Sequence, residues 1–441
     1  MSRASREVTD DTSAGGDLGN RPAAAPMDPT TPDAPVPASP PAPTGAWFTP
    51  GVRGIGLASL LSDAGHEIPT ALLPSFLTST LGAPAAALGL IEGIADALSG
   101  ITKVIGGALA DDPQRRRSIA VGGYTLTAIL SAAIGLATAA WQVAILRAGS
   151  WAARGIRVPS RNALLADAVD ASAYGRAYGF ERAMDNLGAV IGPIVALGLV
   201  ALVGLREAIL LSVIPGLLAA AAIVYAVRHL EKPKERHTAP VRLVVRPLMR
   251  GTLGRLFVGV SLFEVGNMAA TLLILRATEL PTPERGQDGA ATVAIALYVG
   301  YNIAATLASV PAGRIADRVG ARSVFAGGVA LFGVAYALFA LASPSVLVLG
   351  VAFVIAGVAI GAVETGEHAA VAGLAPYHQR GSAFGLLAGI QSLGDFVASA
   401  VIGIIWTIAG PAVAFGLAVV AMVASLVSVV TLRTASNEAR D

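Results

Sequence analysis

Residues 60–77 read LLSDAGHEIPTALLPSFL, an apolar stretch that carries Asp63, His66 and Glu67. The three fall at i, i+3 and i+4, so on a helix they share one face. A second stretch, VETGEHAA, repeats the spacing with Glu364, Glu367 and His368. Each set offers two carboxylates and one imidazole. These are the side chains that gain and lose a proton in the useful pH range once burial adjusts them, so both sets suit proton coupling. The same atoms could hold a borderline divalent cation, with His66, His368, Asp63 and Glu367 as the ligands. A cationic organic solute could use the carboxylates as counter-charges.

The surroundings of these groups are those of lipid-embedded helices. Hydrophobic residues make up 54% of the 441-residue chain and charged ones only 14%, with a mean hydropathy of +0.67. Soluble domains carry about 25% charged residues. A spanning helix needs about 20 mostly apolar residues. Twelve stretches qualify: 53–81, 85–110, 119–139, 142–166, 176–202, 206–228, 254–279, 289–314, 322–342, 346–374, 381–408 and 411–432. The 50 glycines suit helices that approach closely. With no cysteine, disulfides, thiolate metal sites and cysteine nucleophiles are excluded. Residues 1–46 are rich in Pro, Ala, Asp and Ser and read as a disordered tail, without the basic and apolar regions of a signal peptide.

Lys and Arg alternate between loops. Arg115, Arg116 and Arg117 follow helix 2, and Arg318 and Arg322 follow helix 8. Lys232, Lys234, Arg236, Arg242, Arg246 and Arg250 lie between helices 6 and 7. The positive-inside rule then predicts both termini and the middle loop in the cytoplasm.

The two halves repeat. GGALADDPQRRR (106–117) matches PAGRIADRVGAR (311–322), and AYGRAYGF (173–180) matches QRGSAFGL (379–386). Gly107 and Gly313, Asp111 and Asp317, Gly175 and Gly381, and Gly179 and Gly385 are all 206 residues apart. Asp185 and Gln391, and Asp96 and Asn302, share that offset. Duplicated halves are how many secondary transporters build a midplane site. The expected organisation is a tail (1–46), a six-helix half (47–228), a basic linker (229–252), a second half (253–432) and a short tail (433–441).

On these motifs the chain resembles the major facilitator superfamily over about residues 50–432. The carrying features are the loops with Gly107, Asp111, Arg115 and Arg116, and with Gly313, Asp317, Arg318, Gly320 and Arg322. The second copy is the fuller match; Asp112 and Gln114 depart from the pattern in the first. Helix 5, with Gly179, Gly188, Gly192 and Pro193, resembles the family's antiporter motif, though its closing glycine pair is replaced by Ala196 and Leu197. Helix 4 resembles the family's arginine motif at Arg147. The run further resembles a bacterial branch that includes metal-resistance permeases. The resemblance implies an all-α integral membrane fold: 12 transmembrane helices in two pseudo-symmetric six-helix halves around a central cavity. It also implies cytoplasmic gates at the two loops, a monomer, and helices 1, 4, 7 and 10 around the cavity.

The expected cavity groups are Asp63, His66 and Glu67; Glu92 and Asp96; Arg147 and Arg154; Glu264 and Asn267; Glu364, Glu367 and His368; and Gln391 and Asp395. Arg157 and Arg161 of helix 4, with Glu181 and Arg182 of helix 5, are expected nearer the cytoplasmic end as gate or snorkelling residues. Structural pairing competes with function throughout, because unpaired charge in lipid is costly. Asp63, His66 and Glu67 have two candidate partners: Arg147, or the helix 10 set across a bound proton or cation. Pro69 and Pro74 should bend helix 1 there.

The resulting expectation is a proton-coupled secondary transporter of the bacterial cytoplasmic membrane that exports a small solute. Its partners would be that solute, protons and lipid. A divalent-metal transporter and a non-transporting sensor or scaffold are the alternatives. No P-loop, nucleophile elbow, His-Glu-x-x-His or dinucleotide motif points to an enzyme or a cofactor, and the basic residues need no nucleic acid to explain them.

Overall fold

The computed structural model describes residues 47–231, 245–280, 282–341 and 343–437. The expected tail 1–46, linker residues 232–244 and residues 438–441 lie outside that set. The described residues are helical, with no strand among them.

The first half of the chain forms α1 (Pro50–Ser75), α2 (Ala85–Ala110), α3 (Pro113–Ala133), α4 (Ala140–Asp167), α5 (Tyr174–Val203), α6 (Leu205–Leu211) and α7 (Val213–His229). The second forms α8 (Gly251–Gly266), α9 (Ala270–Glu279), α10 (Thr282–Val319), α11 (Ala321–Ala340), α12 (Val346–Leu374), α13 (Arg380–Ala409) and α14 (Pro411–Asn437). All twelve stretches expected from hydropathy are helical. Two are divided: the sixth at Ser212, between α6 and α7, and the seventh at Asn267–Ala269, between α8 and α9.

Among the described residues, nine helical segments are long and apolar enough to cross a membrane. α1, α2 and α4 fall outside those nine, and each carries ionisable groups inside its span, among them Asp63, Glu92 and Arg147. The molecule is inverted relative to a soluble protein. Arg147 is 1% exposed and Leu202 81% exposed, and apolar side chains such as Ile408 and Leu347 cover the outside. Lipid makes that surface tolerable.

Proline did not stop α1. The helix runs through Pro69 and Pro74 and then widens into a π turn at Phe76–Thr80. The Thr70 hydroxyl donates to the His66 carbonyl at 2.8 Å, and the Thr78 hydroxyl to the Pro74 carbonyl at 2.8 Å.

α5 packs on α1 and α10, and α13 packs on α2 and α8. The repeat is visible in these contacts. α2 crosses α13 where Gly107 meets Gly381 and Gly385; α10 crosses α5 where Gly313 meets Gly175 and Gly179. A Cβ on Gly107 would lie 2.7 Å from the Gly381 carbonyl oxygen and 2.7 Å from the Gly385 Cα. Only a missing side chain permits backbones this close. Aromatic packing instead fills the second half, where Phe339 lies 5.2 Å from Phe353 and 5.3 Å from Phe415.

Gly107→Val should therefore lower stability by about 1–3 kcal/mol through overpacking. Gly122→Ala, on an open face of α3 with nothing within 4 Å, should raise it by up to ~1 kcal/mol. Thermal unfolding of the two variants in detergent checks the contrast.

Candidate functional site

A cavity of about 210 Å³ lies between side chains of α2, α4, α5, α8, α12 and α13 and the Asn267 break. Its walls differ in sign. α4 and α5 present Arg154, Arg157, Arg161 and Arg182 with Asp185. α8, α12 and α13 present Glu264, Glu364, Glu367 and Asp395 with Asn267, His368 and Gln391. Lys103 of α2 also lines it and donates to the Ser392 hydroxyl at 2.8 Å.

Eight expected residues thus line the cavity: Arg154, Glu264, Asn267, Glu364, Glu367, His368, Gln391 and Asp395. Six do not. Asp63 sits behind the wall, where Arg154 reaches it at 2.7 Å. His66 faces a separate polar pocket with Ser62, Tyr124, Thr127 and Ser131, and its ring lies edge-on to Trp151 at 4.8 Å. Glu67 is half-buried beside Gly192. Glu92 pairs with Arg147 at 3.1 Å, and Arg147 also donates to the Thr70 hydroxyl at 3.1 Å. Asp96 is exposed, and its repeat mate Asn302 donates to the Tyr298 carbonyl at 3.0 Å. Neither member of that repeat pair lines the cavity. Asp185 and Gln391 both do, and Asp185 also pairs with Arg182 at 3.3 Å.

Both expected partnerships for the α1 charges are corrected. Asp63 takes Arg154, two helical turns along α4 from Arg147, and the α1 set does not meet the α12 set. The metal ligand set is likewise divided. His66 and Asp63 lie away from His368 and Glu367, and among the described residues no three His, Asp or Glu side chains are placed to hold a metal ion. His368 already uses Nδ1 on the Glu364 carbonyl oxygen at 2.8 Å.

Arg157, Arg161 and Arg182 belong to the cavity wall rather than to a helix end. Buried Glu181 holds two of them. It accepts from Arg161 at 2.8 Å, from Arg182 at 2.7 Å and from the Ser59 hydroxyl at 2.6 Å. The network ties α1, α4 and α5 together. The spacing of Arg147, Arg154, Arg157 and Arg161 by seven, three and four residues places them on one stripe of α4, but nothing in the sequence gives the depth of that stripe.

At one end of the bundle the repeated loops close the seam. Asp111 accepts from the Ser382 amide at 2.7 Å and from its hydroxyl; Asp317 accepts from the Gly175 amide at 2.7 Å and the Arg176 amide at 3.2 Å. Each acid caps the start of the helix that crosses its own, α13 and α5, where the helix dipole favours negative charge. Arg176 Nε adds a 2.6 Å bond to Asp317. Beyond the acids the copies diverge. Arg116 is fully buried and donates to Asp167 at 2.6 Å and to the Ala110 carbonyl at 2.7 Å; Arg380 joins Asp167 at 3.2 Å and the Tyr174 hydroxyl at 2.5 Å. In the second copy Arg318 is exposed and Arg322 half-buried. The copy that departs from the family pattern therefore buries the more elaborate charge cluster. Asp112 instead caps α3, accepting from the Gln114 amide at 3.0 Å, and binds Arg115 at 3.1 Å on the surface. Gly320 turns the chain between α10 and α11 at a φ of 94°.

Of the helix 5 motif, Gly188 and Gly192 seat α5 on α1 at Leu60, Asp63, Ala64 and Glu67, and Gly179 seats it on α10. Pro193 lies inside α5, half-buried. Asp167, Tyr174, Arg176, Arg380 and Ser382 were missed as latch residues. For Arg176 and Ser382 a signal existed, since they share the 206-residue offset and follow the matched glycines.

A polar cavity buried among long apolar helices defines a multi-pass membrane transporter. The chain belongs to the Major Facilitator Superfamily, whose model matches residues 55–278 and 280–441. An uncharacterised MFS-type transporter of Methanocaldococcus jannaschii is 27% identical over 360 residues, 80% of this chain and 88% of that one. An uncharacterised Mycobacterium bovis protein is 26% identical over 343 residues, 76% and 82% of the two chains. Among solved structures, a bacterial homologue of the iron transporter ferroportin in its outward-facing state shares the fold at a TM-score of 0.72 and 16% identity, covering 87% of this chain and 99% of that one. The Escherichia coli fucose:proton symporter does so at 0.68 and 16%, covering 88% and 99%.

If the Asp63–Arg154 pair is structural, Asp63→Asn removes the carboxylate that faces half-buried Arg154 and should cost about 1–3 kcal/mol. Adding Arg154→Met should recover most of that loss. A double-mutant cycle on thermal stability measures the coupling, and additive effects would remove it.

Proposed function

We propose that this transporter exchanges protons for a small solute and exports that solute by alternating access across the bacterial cytoplasmic membrane. The observation that carries the reading is the acidic cavity wall. Glu264, Glu364 and Glu367 line the cavity with no ion pair to a described arginine or lysine, so a proton can come and go there without breaking a salt bridge. Asp63 of the α1 set is already committed to Arg154. The basic loops support placing the latched end and both termini in the cytoplasm. In that orientation the closed Asp111 and Asp317 caps correspond to an outward-facing state, and their release would open the cavity inward. The helix 5 motif supports exchange over symport. The twelve-span, two-half organisation around a monomer's central cavity is part of the same reading, with α1, α2 and α4 crossing alongside the nine more apolar segments.

Liposomes containing the full chain and a pH-sensitive dye provide the test. Outside addition of amino acids, sugars, organic cations and divalent metals should identify a solute class that drives proton movement. Glu364→Gln and Glu367→Gln should each reduce that movement at least tenfold in protein that remains monodisperse. Solute flux unchanged by these variants, or by collapse of the proton gradient, would exclude proton coupling at this wall.

The latch makes its own prediction. Asp317→Asn weakens the cap on α5, and a single cysteine placed beside the seam should then react with maleimide several-fold faster. The natural absence of cysteine makes the label unambiguous.

A further inference from the structure

We infer that the cavity takes a small zwitterion, with its carboxylate on Arg157 and its ammonium group on Glu367 and Glu264. The inference rests on the transport reading above and names its solute class.

Of the five described arginines in this region, Arg147, Arg154, Arg161 and Arg182 each have a carboxylate within ion-pair distance. Arg157 has none. It is 2% exposed, lies over the Tyr124 ring at 3.7 Å and donates Nη2 to the Ser62 hydroxyl at 2.7 Å. Its Nε and Nη1 have no hydrogen-bond partner. A hydroxyl and a ring face do not neutralise a guanidinium, and a buried cation without a counter-ion is strongly disfavoured. Arg157 lines the cavity without a carboxylate at ion-pair distance, and Lys103, the other unpaired cation there, donates to the Ser392 hydroxyl at 2.8 Å.

The opposite wall has the reverse deficiency. Glu367 is fully buried, and its Oε1 accepts from the Gln391 amide at 2.5 Å while Oε2 has no partner. Glu264, 4% exposed, meets the Asn267 amide at 3.1 Å. Neither has an arginine or lysine within ion-pair distance among the described residues. An anion alone would satisfy Arg157 and leave the acids; a cation alone would do the reverse. One solute carrying both charges answers both walls. At about 210 Å³ the space is below the ~300–1,000 Å³ of ordinary ligand pockets, which selects a small solute. Such a solute would also give exchange a physical basis, because its ammonium group and the coupling proton would compete for the same carboxylates.

The test is thermal unfolding of the purified full chain at fixed pH and ionic strength. The probes are the straight-chain ω-amino acids from glycine to 5-aminopentanoate, set against the matching carboxylates and alkylamines. At least one amino acid should raise the unfolding temperature saturably, with both matching halves at least tenfold weaker. Arg157→Gln and Glu367→Gln should each weaken the effect at least tenfold. Arg157→Gln without ligand should unfold no lower than wild type, since it removes an unpaired buried charge. The inference is overturned if no amino acid shifts the wild type, if the carboxylates or amines act as strongly, if Arg157→Gln binds normally, or if that variant is itself destabilised. Zwitterion binding without proton-linked flux in liposomes would instead sink the transport reading and leave the site. Proton-linked flux of a sugar or metal with no zwitterion binding would do the opposite.

Discussion

Arginine in a lipid-embedded helix must find an anion or reach water, and α4 carries four. Their placement governs the first half of the molecule. Arg147 draws in Glu92 of α2, Arg154 draws in Asp63 of α1, and Arg161 shares Glu181 and Asp185 of α5. Three helices are thus tied to α4 by charge, and α2 also packs closely on it at Gly106 and Gly155. Small residues let this happen. Gly188 and Gly192 allow α5 to lie against α1 at the same depth as the ion pairs. The cavity inherits its basic wall from this arrangement.

The second half uses different means. Its interior is aromatic, with Phe263, Phe325, Phe332, Tyr336, Phe339, Phe353 and Phe415 in a continuous cluster. Two acids of its cavity face, Glu264 and Glu367, are hydrogen-bonded by amides and not paired with a described guanidinium. Where the halves meet, they are alike again. Two glycine crossings and two aspartate caps, related by one sequence offset, close one end of the seam. Each cap is made by one carboxylate, and each crossing by backbones that no side chain separates.

Much of this architecture is readable from local pattern. Each of the twelve stretches picked out by length and hydropathy is helical, and among the described residues nine helical segments are long and apolar enough to cross a membrane. The constant offset of 206 residues located the latch acids and their glycines. The break at Asn267–Ala269, where the Met268 amide donates to the Tyr336 hydroxyl at 3.1 Å, lies inside a stretch whose hydropathy reads as one helix. Arg157, Arg161 and Arg182 were on the right helix faces but were assigned the wrong depth.

The sequence by itself determined which helices exist, which faces carry charge and which loops are repeated, for these follow from spacing along one chain. Only the tertiary structure decided which charges meet. Arg147 and Arg154 lie seven residues apart, about 10 Å along a helix axis, on nearly the same face, and spacing cannot choose between them as the partner of Asp63. Relative depth of two helices makes that choice. It gave Asp63 to Arg154 and His66 to a separate pocket, and it left Arg157 without an anion at the edge of the cavity.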